Sequence, residues 1–110
     1  MLNLLTACKG DMKFSKTGWS KEEDLGYYPF RDKMLKDLTI NYKIKGLSYR
    51  QIINLLGKPE DNMYNDSCSI YYNIIEDYGH DIDPVYVKTL EIKFDRDSLV
   101  KDFNIKVWKK

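Results

Sequence analysis

The hydrophobic period of this chain changes once, at Gly57-Lys58-Pro59, and that change decides what each half can become. Ahead of it, apolar residues recur at three- and four-residue intervals; after it they alternate with polar ones. Gly46-Leu47-Ser48 offers a turn, a staple residue and an N-cap, and Gln51 stands three residues after Ser48, the spacing of a capping box. Ile52, Ile53, Leu55 and Leu56 then form an apolar face. Gly57 can adopt the left-handed conformation that stops a helix, and Pro59 prevents re-entry. These signals predict a short, sharply bounded helix. Upstream, Phe30, Met34 and Leu38 recur at i+4 with Leu35 beside them. They predict a longer helix starting near Tyr28-Pro29, with proline in the first helical position, and fading near Asn41. Lys33, Lys36 and Asp37 fall on its wet side. Ser20-Lys-Glu-Glu23 also has capping-box spacing and predicts one further helical turn.

Downstream, Ser67–Ile75 is rich in strand formers. Tyr86–Phe94 alternates, with Leu90, Ile92 and Phe94 pointing one way. Asp95-Arg-Asp-Ser98 reads as a turn into Leu99–Trp108, where Phe103, Ile105 and Val107 share a face. The last two strands therefore form a tight hairpin, and a polar link over Glu76–Pro84 joins the first strand to the second. Helices followed by strands predict an α+β fold: two N-terminal helices packed on one face of a three-stranded antiparallel sheet, ααβββ in order.

Composition excludes several functions. A chain of 110 residues is one ordinary domain. Its 18 Lys+Arg against 17 Asp+Glu give no field of the kind that nucleic-acid binding relies on. No apolar run approaches the ~20 residues of a membrane-spanning helix. Two cysteines and one histidine are too few for a disulfide framework or an ordinary zinc site. Charge is nonetheless uneven. Glu60 to Asp83 holds seven acids and no Lys or Arg, whereas Arg31–Arg50 holds six basic residues and two acids. These are either two solvated faces that attract weakly or a surface that steers a charged partner.

Little of this is catalytic chemistry. His80 with Glu76, Asp77, Asp81 and Asp83 could give a hard cation several oxygens, but the spacing is not that of an EF-hand, and a solvated loop accounts for it. Cys68, within a strand-forming run, reads as a small core residue rather than a nucleophile. Asp95 and Asp97 suit a turn. No enzyme, cofactor, metal or small-molecule substrate is expected. Nine tyrosines and two tryptophans exceed what so small a core usually absorbs. Tyr and Trp suit binding faces because one end is apolar and the other can be wet. The sheet face opposite the helices, with Tyr71 and Tyr86, is the expected binding surface, and Trp19 is a third candidate for partner contact.

Leu5-Thr-Ala-Cys8 resembles a bacterial lipobox, in which small residues precede the cysteine that receives a diacylglyceryl group. Polar Lys9-Gly-Asp11 follows at once, as a tether leaving a bilayer would. Only seven residues precede Cys8 and none is basic, so residues 1–8 read as part of a lipoprotein signal. The alternative is a short apolar arm with Cys8 buried or bridged to Cys68. With a lipobox, Cys8 is the lipidation site and Cys68 remains an unpaired, buried thiol. Residues 9–27 then read as a tether with docking aromatics at Phe14 and Trp19.

Residues 28–110 carry a further likeness. Gly46-Leu-Ser48, a short helix, and Leu55-Leu-Gly-Lys-Pro-Glu60 are similar to the G-M/L-S/T … LLG-x-P-D/E signature of the SmpA/OmlA (BamE-like) lipoprotein domain. Leu90-Glu-Ile-Lys-Phe-Asp-Arg-Asp-Ser-Leu-Val100 resembles the L-x-I-x-F-D-x-D-G-x-V hairpin that closes it, with Ser98 where the family has Gly. The resemblance implies an α+β fold shared with β-lactamase-inhibitor-like domains. It also implies a lipid-anchored envelope protein, on the outer membrane facing the periplasm, that contacts other envelope proteins in outer-membrane protein assembly or envelope maintenance. The other function compatible with the same framework is an inhibitor-like module that blocks a soluble or periplasmic enzyme by inserting a loop such as Glu76–Pro84.

Overall fold

The computed structural model describes residues 10–23, 26–63, 68–80 and 82–110. Cys8 with the rest of the lipobox, and Asp81, lie outside the described residues. Three helices precede four strands: α1 (Lys16–Ser20), α2 (Arg31–Asn41), α3 (Tyr49–Leu56), β1 (Asp61–Met63), β2 (Ser69–Asp77), β3 (Tyr86–Phe94) and β4 (Val100–Lys109). The strands form one antiparallel sheet in the order β1-β2-β3-β4. The α+β arrangement with N-terminal helices and an up-and-down antiparallel sheet is therefore the fold. β2–β3–β4 are the three long strands, and β1 adds a three-residue edge that no alternation in the sequence announces.

α3 forms as its residues dictate. The Ser48 hydroxyl accepts the Gln51 N–H at 3.1 Å and the Gln51 side chain accepts the Ser48 N–H at 2.8 Å, a complete capping box. Gly57 ends the helix with φ +85°, a conformation costly for any residue with a Cβ. α2 starts later than its periodicity suggests. Pro29 belongs to the turn ahead of the helix rather than to its first position, because the first helical hydrogen bond runs from Met34 N–H to the Phe30 carbonyl. The turn placed at Ser20–Glu23 lies earlier too. Ser15 is the cap, its hydroxyl accepting the Gly18 N–H, and Ser20 is the last residue of α1. Tertiary packing decides this, since burial of Trp19 draws α1 onto α2. A Cβ at Gly18 would overlap the Met34 methyl, so a larger residue there has to push the end of the Met34 side chain aside.

Register places Ile70, Tyr72, Leu90, Ile92 and Phe94 on one face of the sheet. All five are buried with Met34, Leu35 and Leu38 of α2, and with Ile52 and Leu56 of α3. Phe14 and Trp19 join the same core. Burying ten or so such side chains at ~1.5–3 kcal/mol each is the main favourable term. The core face does not extend along all of β4. Phe103 is only partly buried, while Ile105 and Val107 on the same face are 42% and 49% exposed. The distal half of the hairpin runs past the helices.

The outer edge of β4 is covered at its start. Gly46 N–H donates to the Val100 carbonyl, Val100 N–H to the Leu47 carbonyl, and Tyr49 N–H to the Ser98 carbonyl. From Lys101 onward, β4 is the sheet edge.

Candidate functional site

The most constrained polar group in the fold is a charge that sequence reasoning left on no particular face. Arg31 opens α2 and is 2% exposed. Its Nε donates to the Trp19 carbonyl at 2.9 Å, and Nη1 donates to Glu60 Oε1 and to the Asn73 carbonyl, both at 2.8 Å. The guanidinium lies over the Tyr28 ring at 3.5 Å and beside Trp19 at 4.9 Å. Glu60 in turn accepts the Asn73 N–H at 2.8 Å and the Tyr28 hydroxyl at 3.2 Å. Both backbone groups of Asn73 are thus held by side chains. The backbone ladder from β1 ends where Glu60 N–H meets the Tyr71 carbonyl, and the Arg31–Glu60 pair takes the place of the next strand residue. A buried charge needs such pairing to be tolerated at all. Burial, followed by the Glu60 carboxylate, raises the Tyr28 hydroxyl above its ordinary pKa. Burial raises Tyr72 further, and its hydroxyl donates to the Gly57 carbonyl at 2.7 Å.

Just beyond Asn73 the register of β2 slips, leaving an irregularity between Asn73 and Ile75. Such a bulge re-aims side chains, and here a groove of about 310 Å³ opens beside it. Ile74, Ile75 and Pro29 form its apolar wall, with Tyr27 and Tyr28 beside them. Tyr27 is 54% exposed. It is fixed from behind, as Glu23 N–H donates to the Tyr27 carbonyl at 2.7 Å and Gly26 N–H to Glu22 Oε2 at 2.8 Å. Glu76, Asp77 and Asp32 stand around the rim with a single lysine, Lys33. Asp32 is already paired, its carboxylate 2.7 Å from Lys88 Nζ.

A second exposed feature lies at the far end of the sheet. The distal half of β4 exposes Ile105 and Val107 on the helix side, and Trp108, 52% exposed, on the opposite side. Lys101, Lys106 and Lys109 interrupt it.

The residues singled out from sequence fare differently. Trp19 is not a surface residue: none of its area is exposed, and it packs against Phe14 and Tyr72 with centroids 5.9 and 6.2 Å apart. It therefore cannot present its ring to a partner. Tyr71 and Tyr86 do not share a face. Tyr71 pairs with Glu91 whereas Tyr86 aligns with Leu90 and Ile92, and strand alternation sets those residues on opposite sides. Tyr71 lies on the open face, half-buried, its hydroxyl donating to Glu91 Oε2 at 2.9 Å. Burial works against the charged form of Glu91, but the Tyr71 hydroxyl and Lys106 outweigh it and hold the carboxyl below its ordinary pKa. Cys68 is free and exposed rather than a core residue, because β2 begins one residue after it. Among the described residues, no three His, Cys, Asp or Glu side chains come together closely enough to hold a metal ion. No described helix is long and apolar enough to cross a membrane. Arg31, Glu60, Tyr27 and Trp108 escaped sequence reasoning. Only Glu60 carried a signal, as the acid that ends the Leu55–Glu60 signature.

Searches against protein-family models, curated proteins and solved structures find no match to this chain.

Proposed function

We propose that the chain is a non-catalytic, lipid-anchored lipoprotein of the bacterial cell envelope, of the SmpA/OmlA (BamE-like) kind, that works by protein–protein contact. The observation that carries this reading is the distal half of β4, where Ile105, Val107 and Trp108 stay 42%, 49% and 52% exposed along a sheet edge. Exposed apolar side chains along an unpaired edge strand offer a surface for a partner. The Leu5–Cys8 lipobox likeness and the Leu55–Glu60 and Leu90–Val100 motifs supply the envelope and family parts of the proposal. The test is expression from the native gene with its upstream DNA, in a bacterial host fed a labelled fatty acid. The chain acquires label and sediments with membranes, and Cys8→Ser abolishes both. An unlabelled protein recovered away from membranes contradicts the proposal.

A second reading has one observation in its favour. Ile82, on the connection between β2 and β3, is 92% exposed, and Tyr78 on the same connection is 42% exposed. A loop that holds an apolar side chain in water suits an inhibitor that inserts into an enzyme cleft. This reading requires one tight target whose capture is lost in Ile82→Asp and kept when Trp108 is changed.

A further inference from the structure

We propose that the groove beside the β2 bulge is a docking site for a lysine or arginine side chain carried on an extended segment of a partner protein. Shape comes first. At about 310 Å³ the groove is at the small end of binding pockets. It accepts one long side chain rather than a helix. Its wall matches such a side chain in two parts. The half-buried Ile75 and Pro29 offer apolar surface for methylene groups, and Tyr27, 54% exposed, offers a ring for the cation.

Charge selects the sign of the occupant. Glu76 and Asp77 are exposed at the rim, and neither makes an ion pair with any described residue; Lys88 is engaged with Asp32 and Arg31 with Glu60, so Lys33 is the one cation lining the groove, against the three acids Asp32, Glu76 and Asp77. Glu22 and Glu23 lie around the same aromatic turn and extend the negative field. A phosphate or other anion has no place here. A bare metal ion is disfavoured as well, because the carboxylates do not converge to three donors. An organic cation needs no such convergence. It needs separated carboxylates around an apolar, aromatic wall, and the groove has them. Arg31 stacked on Tyr28 shows the same chemistry already in use within the fold.

This inference deepens the protein-contact reading by naming the chemistry of one partner segment, but it is measured on the purified chain without membrane or anchor. The probe is the peptide acetyl-Val-Arg-Val-amide, titrated into ¹⁵N-labelled protein, beside its citrulline counterpart and Mg²⁺. Expected are amide shifts confined to residues 27–33 and 74–77 for the arginine peptide alone. Binding weakens about threefold or more in Glu76→Gln/Asp77→Asn and in Tyr27→Ala, exposed positions whose replacement leaves the fold intact. Shifts spread evenly over the acidic surface overturn the proposal. So do equal shifts with the citrulline peptide or Mg²⁺, no response to the substitutions, or no shifts at all. Loss of Cys8 labelling with these shifts intact defeats the envelope reading alone; the converse defeats this one alone.

Discussion

Arg31 and Glu60 show how a single pair of side chains can stand in for backbone. Asn73 has an N–H and a carbonyl facing the edge where β1 has already ended, and both are taken, one by each partner of the ion pair. Removing the acid therefore strands three groups together: the Arg31 guanidinium, the Asn73 N–H and the Tyr28 hydroxyl. Glu60→Ala is expected to lower the unfolding free energy by about 3 kcal/mol in urea titrations, as for other buried pairs broken on one side. Glu60→Gln keeps an acceptor for Asn73 and is expected to cost about half of that. A loss under about 0.5 kcal/mol for Glu60→Ala, the level of an exposed ion pair, would show that the pair holds nothing in place. A second residue ties the N-terminal segment to α2. Asp37 accepts Asn41 Nδ2 and the Phe14 N–H, both at 2.7 Å, and these hydrogen bonds, Asn41's first, hold its carboxyl below the usual range. Its folded-state pKa is thus lower than its unfolded one. The stabilisation is complete above the ordinary carboxylate pKa of ~3.9 and is lost as pH falls through it toward the depressed value. Unfolding measured from pH 6 to pH 3 should show wild type losing stability faster than Asp37→Ala, with the two curves converging at the acid end.

At the scale of elements, the β3–β4 hairpin gives the clearest prediction. Asp95 Oδ1 accepts the N–H groups of Asp97 and Leu99, which closes the turn. Ser98 then takes φ +64°, the one positive φ among the described non-glycine residues. A side chain in that region costs ~1–2 kcal/mol, partly offset because glycine is freer when unfolded. Ser98→Gly should therefore stabilise the protein by about 0.5 kcal/mol, read as a rise in urea midpoint with unchanged slope; a fall would mean the hydroxyl matters more than the backbone. Elements bounded by local chemistry were legible in the sequence. α3 carries its cap and stop within ten residues, and Tyr86–Phe94 carries its alternation unaided. Elements fixed by distant contacts were not. α1 has a plain Ser15 cap and exists because Trp19 is buried, and β1 is three residues long because Glu60 and Arg31 take over its ladder. The candidate site was less legible still. Its wall comes from a bulge, and pairing of Arg31 with Glu60 across 29 positions leaves no local pattern. Placing Tyr71 and Tyr86 on one face went wrong for a simpler reason: alternation along β3 already puts Tyr86 on the side of Leu90 and Ile92, and only the pairing of Tyr71 with Glu91, which a sequence does not display, sets Tyr71 on the other.

The molecule as a whole is a thin slab, 22 Å in its smallest dimension, as expected of one helical layer on one sheet. Helices cover the β2 side and the proximal half of β4, and the distal half stands clear. Two unlike surfaces result. One is the acidic, aromatic groove at the β2 bulge, and the other is the apolar, lysine-edged end of β4. Lysines along an edge discourage pairing with a second copy, so the apolar residues between them are better explained by a different partner. That explanation is tested most directly inside cells. The gene is expressed from its own locus with a photo-crosslinking amino acid at position 107, and again at position 16 on α1 as a control. The account predicts a discrete crosslink from position 107 to another protein of the membrane fraction, and none from position 16. Recovery of the chain outside the membrane fraction, or free of any crosslink at position 107, would contradict it.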